Sequence, residues 1–94
     1  MNMYYPIGTI VKLSIDESVL FMISGYMMQQ GDSVPRDYLA VPYPFGLIKD
    51  DQYVIFNRQC IVEVVHTGYC DEECQQLLDG LDQFVENLER ITDV

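Results

Sequence analysis

The sequence predicts an α+β domain: a small curled antiparallel β-sheet or SH3-like barrel of four to five strands, followed by one long C-terminal amphipathic helix. Three observations lead there. Short runs of β-branched and aromatic residues alternate with turn residues as far as about residue 69. The turn signals then stop. From residue 71 apolar side chains recur at helical spacing, and no proline interrupts them. A chain of 94 residues makes one domain, with the sheet in 1–69 and the helix in 70–94.

The first strand is expected over residues 9–13, where Val11 and Leu13 alternate with Lys12 between Gly8 and the acidic pair Asp16-Glu17. The second runs from 18 to about 28, and Gly25 in its middle signals a bulge or bend. Residues 29–35 hold Gly31, Asp32, Ser33 and Pro35 and read as a loop, followed by a third strand over 36–41. Pro42 and Pro44 remove two ladder donors, so residues 42–46 are expected to leave the sheet. Residues 53–56 and 60–66 supply the last two strands, the second with the β-branched run Ile61-Val62-Glu63-Val64-Val65.

Asp71, Glu72 and Glu73 open the helix, where negative charge suits the positive end of the helix dipole. Leu77, Leu81, Phe84, Leu88 and Ile91 follow at spacings of four, three, four and three, and Cys74, Leu78 and Val85 widen the stripe. A helix over 71–91 is roughly 31 Å long, whereas a typical strand is only about 17–20 Å. Either the helix folds back and caps the open end of the sheet, or part of the stripe, above all its C-terminal half with Phe84, Leu88 and Ile91, lies against another chain; Leu77, Leu81, Phe84, Leu88 and Ile91 are the candidate contact residues. The partner is a different protein or, through the same helix, a second copy. Tyr43 and Phe45, stiff aromatics beside prolines, either pin a loop over the core of the sheet or form a second candidate contact.

The net charge is −10, and residues 71–94 hold eight acidic residues and one basic one, a net −7. That balance speaks against nucleic acid, which needs clustered Lys and Arg, and against anionic membranes. It suits a partner with cationic residues beside an apolar stripe. The first residues carry no basic signal-peptide pattern, and the longest apolar run is too short to span a bilayer. Three cysteines cannot all pair within the chain, so a reducing cytoplasmic setting is expected.

Candidate chemistry is sparse. Cys70 and Cys74 lie four apart, His66 lies four before Cys70, and Cys60 precedes them. Structural zinc wants four ligands and favours other spacings, so these read first as ordinary packing residues, with metal binding or a Cys–His nucleophile as the sharper alternatives. No phosphate loop, dinucleotide fingerprint or zinc-protease motif is present. Asp16-Glu17 and Asp50-Asp51 sit in expected turns. No catalytic residue, metal or cofactor is expected, and the chain is not read as an enzyme.

Five short motifs resemble one family. They are Tyr4-Tyr5-Pro6-Ile7-Gly8-Thr9-Ile10-Val11, Ile23-Ser24-Gly25-Tyr26, Arg36-Asp37-Tyr38, Pro42-Tyr43-Pro44-Phe45-Gly46, and the stretch from Phe56-Asn57 to Ile61-Val62-Glu63-Val64-Val65-His66-Thr67-Gly68-Tyr69. In this order, over roughly residues 4–73, they resemble domain of unknown function 4176, a family of short Firmicute proteins found near type VII secretion and LXG-toxin genes. The resemblance implies no catalytic residue. It implies a cytosolic chaperone or targeting adaptor for the helical region of an LXG-type toxin. Alternatives are an immunity protein that neutralises a toxin domain, and a small metal-binding domain.

Overall fold

The computed structural model describes residues 2–31, 34–50 and 52–92, the stretch 88–92 by its backbone alone. Five strands, β1 (Ile10–Leu13), β2 (Asp16–Met28), β3 (Arg36–Tyr43), β4 (Val54–Phe56) and β5 (Ile61–His66), precede one helix, α1 (Glu72–Thr92). The strands form one antiparallel sheet in the order β4-β3-β2-β1-β5. β4 and β5 are its two edges and do not pair, so the sheet is open and is not the closed SH3-like barrel.

Departures from regular pairing fall at interpretable places. Ser14 and Ile15 turn β1 into β2, with Leu13 opposite Asp16. On β2 the register shifts between Ile23 and Gly25, leaving Ser24 as the extra residue beside the glycine that signalled a bend. On β5 the partners of β1 skip Val62 and Val65, which are two further extra residues.

β3 continues through Pro42 and Tyr43, which pair with Phe21 and Leu20, so these two residues stay in the sheet, contrary to expectation. The reason is positional. β4 pairs only with Tyr38, Leu39 and Ala40. Beyond Ala40, β3 therefore has a neighbour on one side only, where a missing N–H is tolerated. The chain turns after Tyr43, with a cis Tyr43–Pro44 bond and Gly46 N–H donating to Pro42 O at 2.7 Å.

Val11, Leu13, Ile23, Tyr38 and Ala40 are fully buried and form the centre of the core with Tyr4, Phe21, Phe56 and Leu78. Gly68 meets the start of β1. Its N–H donates to Thr9 Oγ1 at 3.0 Å, and that buried hydroxyl donates to Pro6 O at 2.7 Å. A Cβ on Gly68 would overlap the Ile7 carbonyl oxygen and lie 2.9 Å from backbone atoms of Gly8 and Thr9. Only glycine fits so close an approach.

Asp71 is the N-cap of α1: its Oδ1 accepts from Cys74 N–H at 2.9 Å and its carbonyl from Gln75 N–H at 2.9 Å. Glu72 and Glu73 occupy the first turn. Among the described residues, no helix is long and apolar enough to cross a membrane.

Candidate protein-binding surfaces

The helix divides its apolar residues between two directions. Leu78 is buried in the core, with Cys74, Leu81 and Val85 packed against it. These four lie at spacings of four, three and four, one seam facing the sheet. Leu77 and Phe84 each precede a seam residue by one position, which turns them about 100° away. They are 52% and 51% exposed. The stripe read from the sequence therefore separates: Leu81 belongs to the core, while Leu77 and Phe84 form an outward flank. Leu88 and Ile91 lie on the backbone of α1, but their side chains lie outside the described residues.

The second predicted contact is also exposed, Tyr43 by 48% and Phe45 by 71%. Phe45 overhangs a cavity of about 360 Å³ lined by Phe21, Pro42, Ile48, Tyr53 and Val54. Leu47 and Ile48 are exposed beside it. Apolar side chains arranged round a hollow can take an apolar anchor from a partner. Sequence reading found Tyr43 and Phe45 but missed Ile48 and Tyr53, which reach the same hollow only because the loop from β3 to β4 folds back.

Both surfaces stand on a scaffold tied by tyrosines. Tyr4 lies edge-on to Tyr26 and Tyr38, with ring centroids 5.8 and 5.5 Å apart, and Tyr38 stacks on Phe56 at 5.4 Å. The hydroxyls hold the N-terminal segment. Tyr4 donates to Asp37 Oδ1 at 2.8 Å, Tyr38 accepts from Tyr5 N–H at 2.9 Å, and Tyr26 donates to Tyr5 O at 2.6 Å. Burial pushes Tyr38 up to about 12. Burial also raises Tyr4 and Tyr26, with Asp37 adding to the shift of Tyr4. Asp37 Oδ2 in turn accepts from Arg58 N–H at 2.9 Å.

The same segment reaches α1. Asn2 Nδ2 donates to Asp79 and Asp82, each at 2.9 Å, and Met3 N–H donates to Asp82 at 3.0 Å. Hydrogen bonds from Asn2 and Gln75 hold the Asp79 carboxyl below the usual carboxylate range. Residues 2–6 thus strap the helix to the sheet, a role the sequence reading did not assign. The available signal was Tyr4-Tyr5 placed before a proline with no strand partner in the pattern.

Cys60 and Cys74 are half-buried and Cys70 is exposed, all as free thiols. The Cys74 thiol is pushed up to about 11, first by the neighbouring Cys70 side chain and then by burial. Cys70 Sγ lies 3.8 Å from the Asp71 carbonyl. Among the described residues, no three His, Cys, Asp or Glu side chains are grouped so that they could hold a metal ion.

An open five-stranded antiparallel sheet, strapped to a single C-terminal helix by the segment before β1, defines an α+β domain. The chain belongs to the family described as domain of unknown function DUF4176, whose profile matches residues 4–77. The match takes in the strap from Tyr4 onward, the whole sheet, the helix N-cap and Leu77, leaves out Asn2 and Met3, and ends one residue before the buried Leu78. Neither the curated proteins nor the solved structures contain a match to the chain.

Proposed function

We propose that this chain is a non-catalytic protein-binding module that receives a helical partner along the outward flank of α1. The observation that carries the reading is the split helix. Leu77 and Phe84 remain half exposed seven residues apart, although Leu78 and Val85 beside them reach the core. A seven-residue interval is the repeat by which helices pack on one another.

Charge supports a particular class of partner. Residues 71–94 carry a net −7, and the acidic side chains of one helix lie within about a Debye length of its apolar flank. A second copy would set two such helices against each other. A helix whose apolar stripe is bordered by Lys and Arg would instead be drawn in. With the chain's resemblance to a family whose members are found near LXG-toxin genes, we propose the helical region of such a toxin as partner. The role is that of a cytoplasmic chaperone or targeting adaptor.

The test is co-expression with an LXG helical region, followed by co-purification. Leu77→Asp and Phe84→Asp should abolish the complex while the variants keep the far-ultraviolet spectrum of the parent chain. Val34→Asp, another exposed apolar position, should leave it intact. Folded flank variants that still co-purify with the region would refute the proposed surface.

A further inference from the structure

The turn that leads into β5 sets a cationic side chain against a hollow. Residues Arg58–Cys60 form a single 3-10 turn, closed by Cys60 N–H donating to Asn57 O at 2.9 Å. Asp37 pins this turn to β3: its Oδ2 accepts from Arg58 N–H at 2.9 Å, and its backbone N–H donates to Asn57 Oδ1 at 3.1 Å. The backbone that carries Arg58 is thus held from both sides, but its guanidinium has no such anchor. Among the described residues it makes no ion pair, and its Nη1 is buried without a hydrogen-bond partner. A buried donor on a charged group is costly to leave unpaired.

Arg58 borders a cavity of about 520 Å³ between the strap, the chain after β5 and the start of α1. Small-molecule sites typically enclose about 300–1,000 Å³. Pro6, Ile61 and Leu78 give the cavity an apolar wall, while the polar Thr67 and Gln75 stand exposed at its border. The carboxylates nearby already have donors of their own. Asp37 accepts from the Tyr4 hydroxyl and from Arg58 N–H, and Asp79 and Asp82 accept from Asn2. A cation without a paired carboxylate, set beside an apolar wall, is a recognition pattern for an organic anion.

We propose that this cavity is a binding site for a small organic monocarboxylate. Its carboxylate accepts from the Arg58 guanidinium, and its hydrocarbon part lies against Ile61 and Leu78. The guanidinium fork matches the two oxygens of a carboxylate, and the bond is stronger than one to a neutral amide oxygen. Asp37, Asp79 and Asp82 set the limit on charge. Their repulsion is offset for one negative charge paired with Arg58, and grows for a dianion such as phosphate.

The test uses the folded full chain labelled with nitrogen-15 and titrated with hexanoate. Saturable shifts are expected at the backbone amides of Tyr5, Arg58, Thr67 and Gln75. Hexanamide, of the same length but neutral, should bind about tenfold more weakly or worse, and inorganic phosphate should not compete. Arg58→Gln should weaken hexanoate by a similar factor, Arg58→Lys should recover part of the loss, and Phe45→Ala, at the other hollow, should change nothing. The comparison of hexanoate with hexanamide is made on the parent chain, so it decides the matter even where Arg58→Gln fails to fold. Absence of saturable shifts, shifts centred on the hollow under Phe45, or undiminished binding by a folded Arg58→Gln chain would overturn the site. Equal affinity for hexanamide, or competition by phosphate, would overturn the monocarboxylate as its ligand.

Discussion

The Tyr4 hydroxyl donates to the Asp37 carboxylate across thirty-three positions of sequence, at 2.8 Å. It joins the strap before β1 to the second residue of β3. Because Asp37 also accepts from Arg58 N–H, one carboxylate ties the N-terminal segment, the third strand and the approach to β5.

Tyr4→Phe keeps the buried ring and removes the donor. A hydrogen bond to a charged group contributes about 1.5–3 kcal/mol, and this one is only partly buried, so a loss of about 1.5 kcal/mol is expected. Thermal unfolding should show Tm lower by about 6–12 °C for a domain of this size. An unchanged Tm would mean that the strap is held by Asn2 and Tyr5 alone.

Leu77 and Leu78 are neighbours with opposite expectations. Leu78→Ala removes the helix's fully engaged core residue and should cost about 2–5 kcal/mol. Leu77→Ala should stay within about 0.5 kcal/mol. Urea titrations of the two variants would separate the sheet-facing seam from the outward flank, and similar costs would contradict that division.

Two glycines should respond with opposite signs. Gly68→Ala forces a Cβ into the backbone of residues 7–9 and should cost about 1–3 kcal/mol or more. Gly80 is exposed on α1, and a Cβ there meets nothing within 4 Å. Gly80→Ala should therefore stabilise by about 0.5–1 kcal/mol. Both are read from the denaturation midpoint.

Alkali should unfold the protein through its tyrosines. Tyr38 is raised to about 12 and Tyr4 and Tyr26 are raised as well. The folded state then holds these protons more tightly than the unfolded chain, whose tyrosines ionise near pH 10. Their contribution is fully present below about pH 10 and is lost as pH rises through 12 and beyond. Denaturant midpoints measured against pH should fall in that window, with tyrosinate absorbance appearing together with unfolding. Tyrosinate formed at these positions without loss of structure would contradict the buried network.

The sheet and helix were legible because their signals are local. Gly25 marked the irregular point of β2, and the acidic triplet at Asp71 marked the helix start. Pro42 misled because proline reports a missing donor and does not report which side of a strand is vacant. The short β4 decides that, and nothing near Pro42 in sequence reveals it. The apolar stripe of α1 was visible as a set, but its division was not. Whether Leu81 or Leu77 faces the sheet depends on how the helix is rotated, which the strap from Asn2 to Asp79 and Asp82 helps to fix over more than seventy residues. The aromatic hollow was half visible for the same reason: Tyr43 and Phe45 stand together in sequence, whereas Tyr53 arrives from beyond the loop.

The extra residues Val62 and Val65 give the outer border of β5 a character of its own. An even six-residue strand of this composition, lying at the margin of a sheet, would be a template on which another chain could extend the ladder. Two interruptions in six residues break the even spacing of backbone donors and acceptors that such copying needs. The opposite margin, β4, offers only three residues. Recognition by added strands is thereby discouraged at both ends of the sheet, and a partner is directed toward shape and charge. Deleting both Val62 and Val65 would restore an even rim, and the expected outcome is growth into fibrils, seen as thioflavin fluorescence.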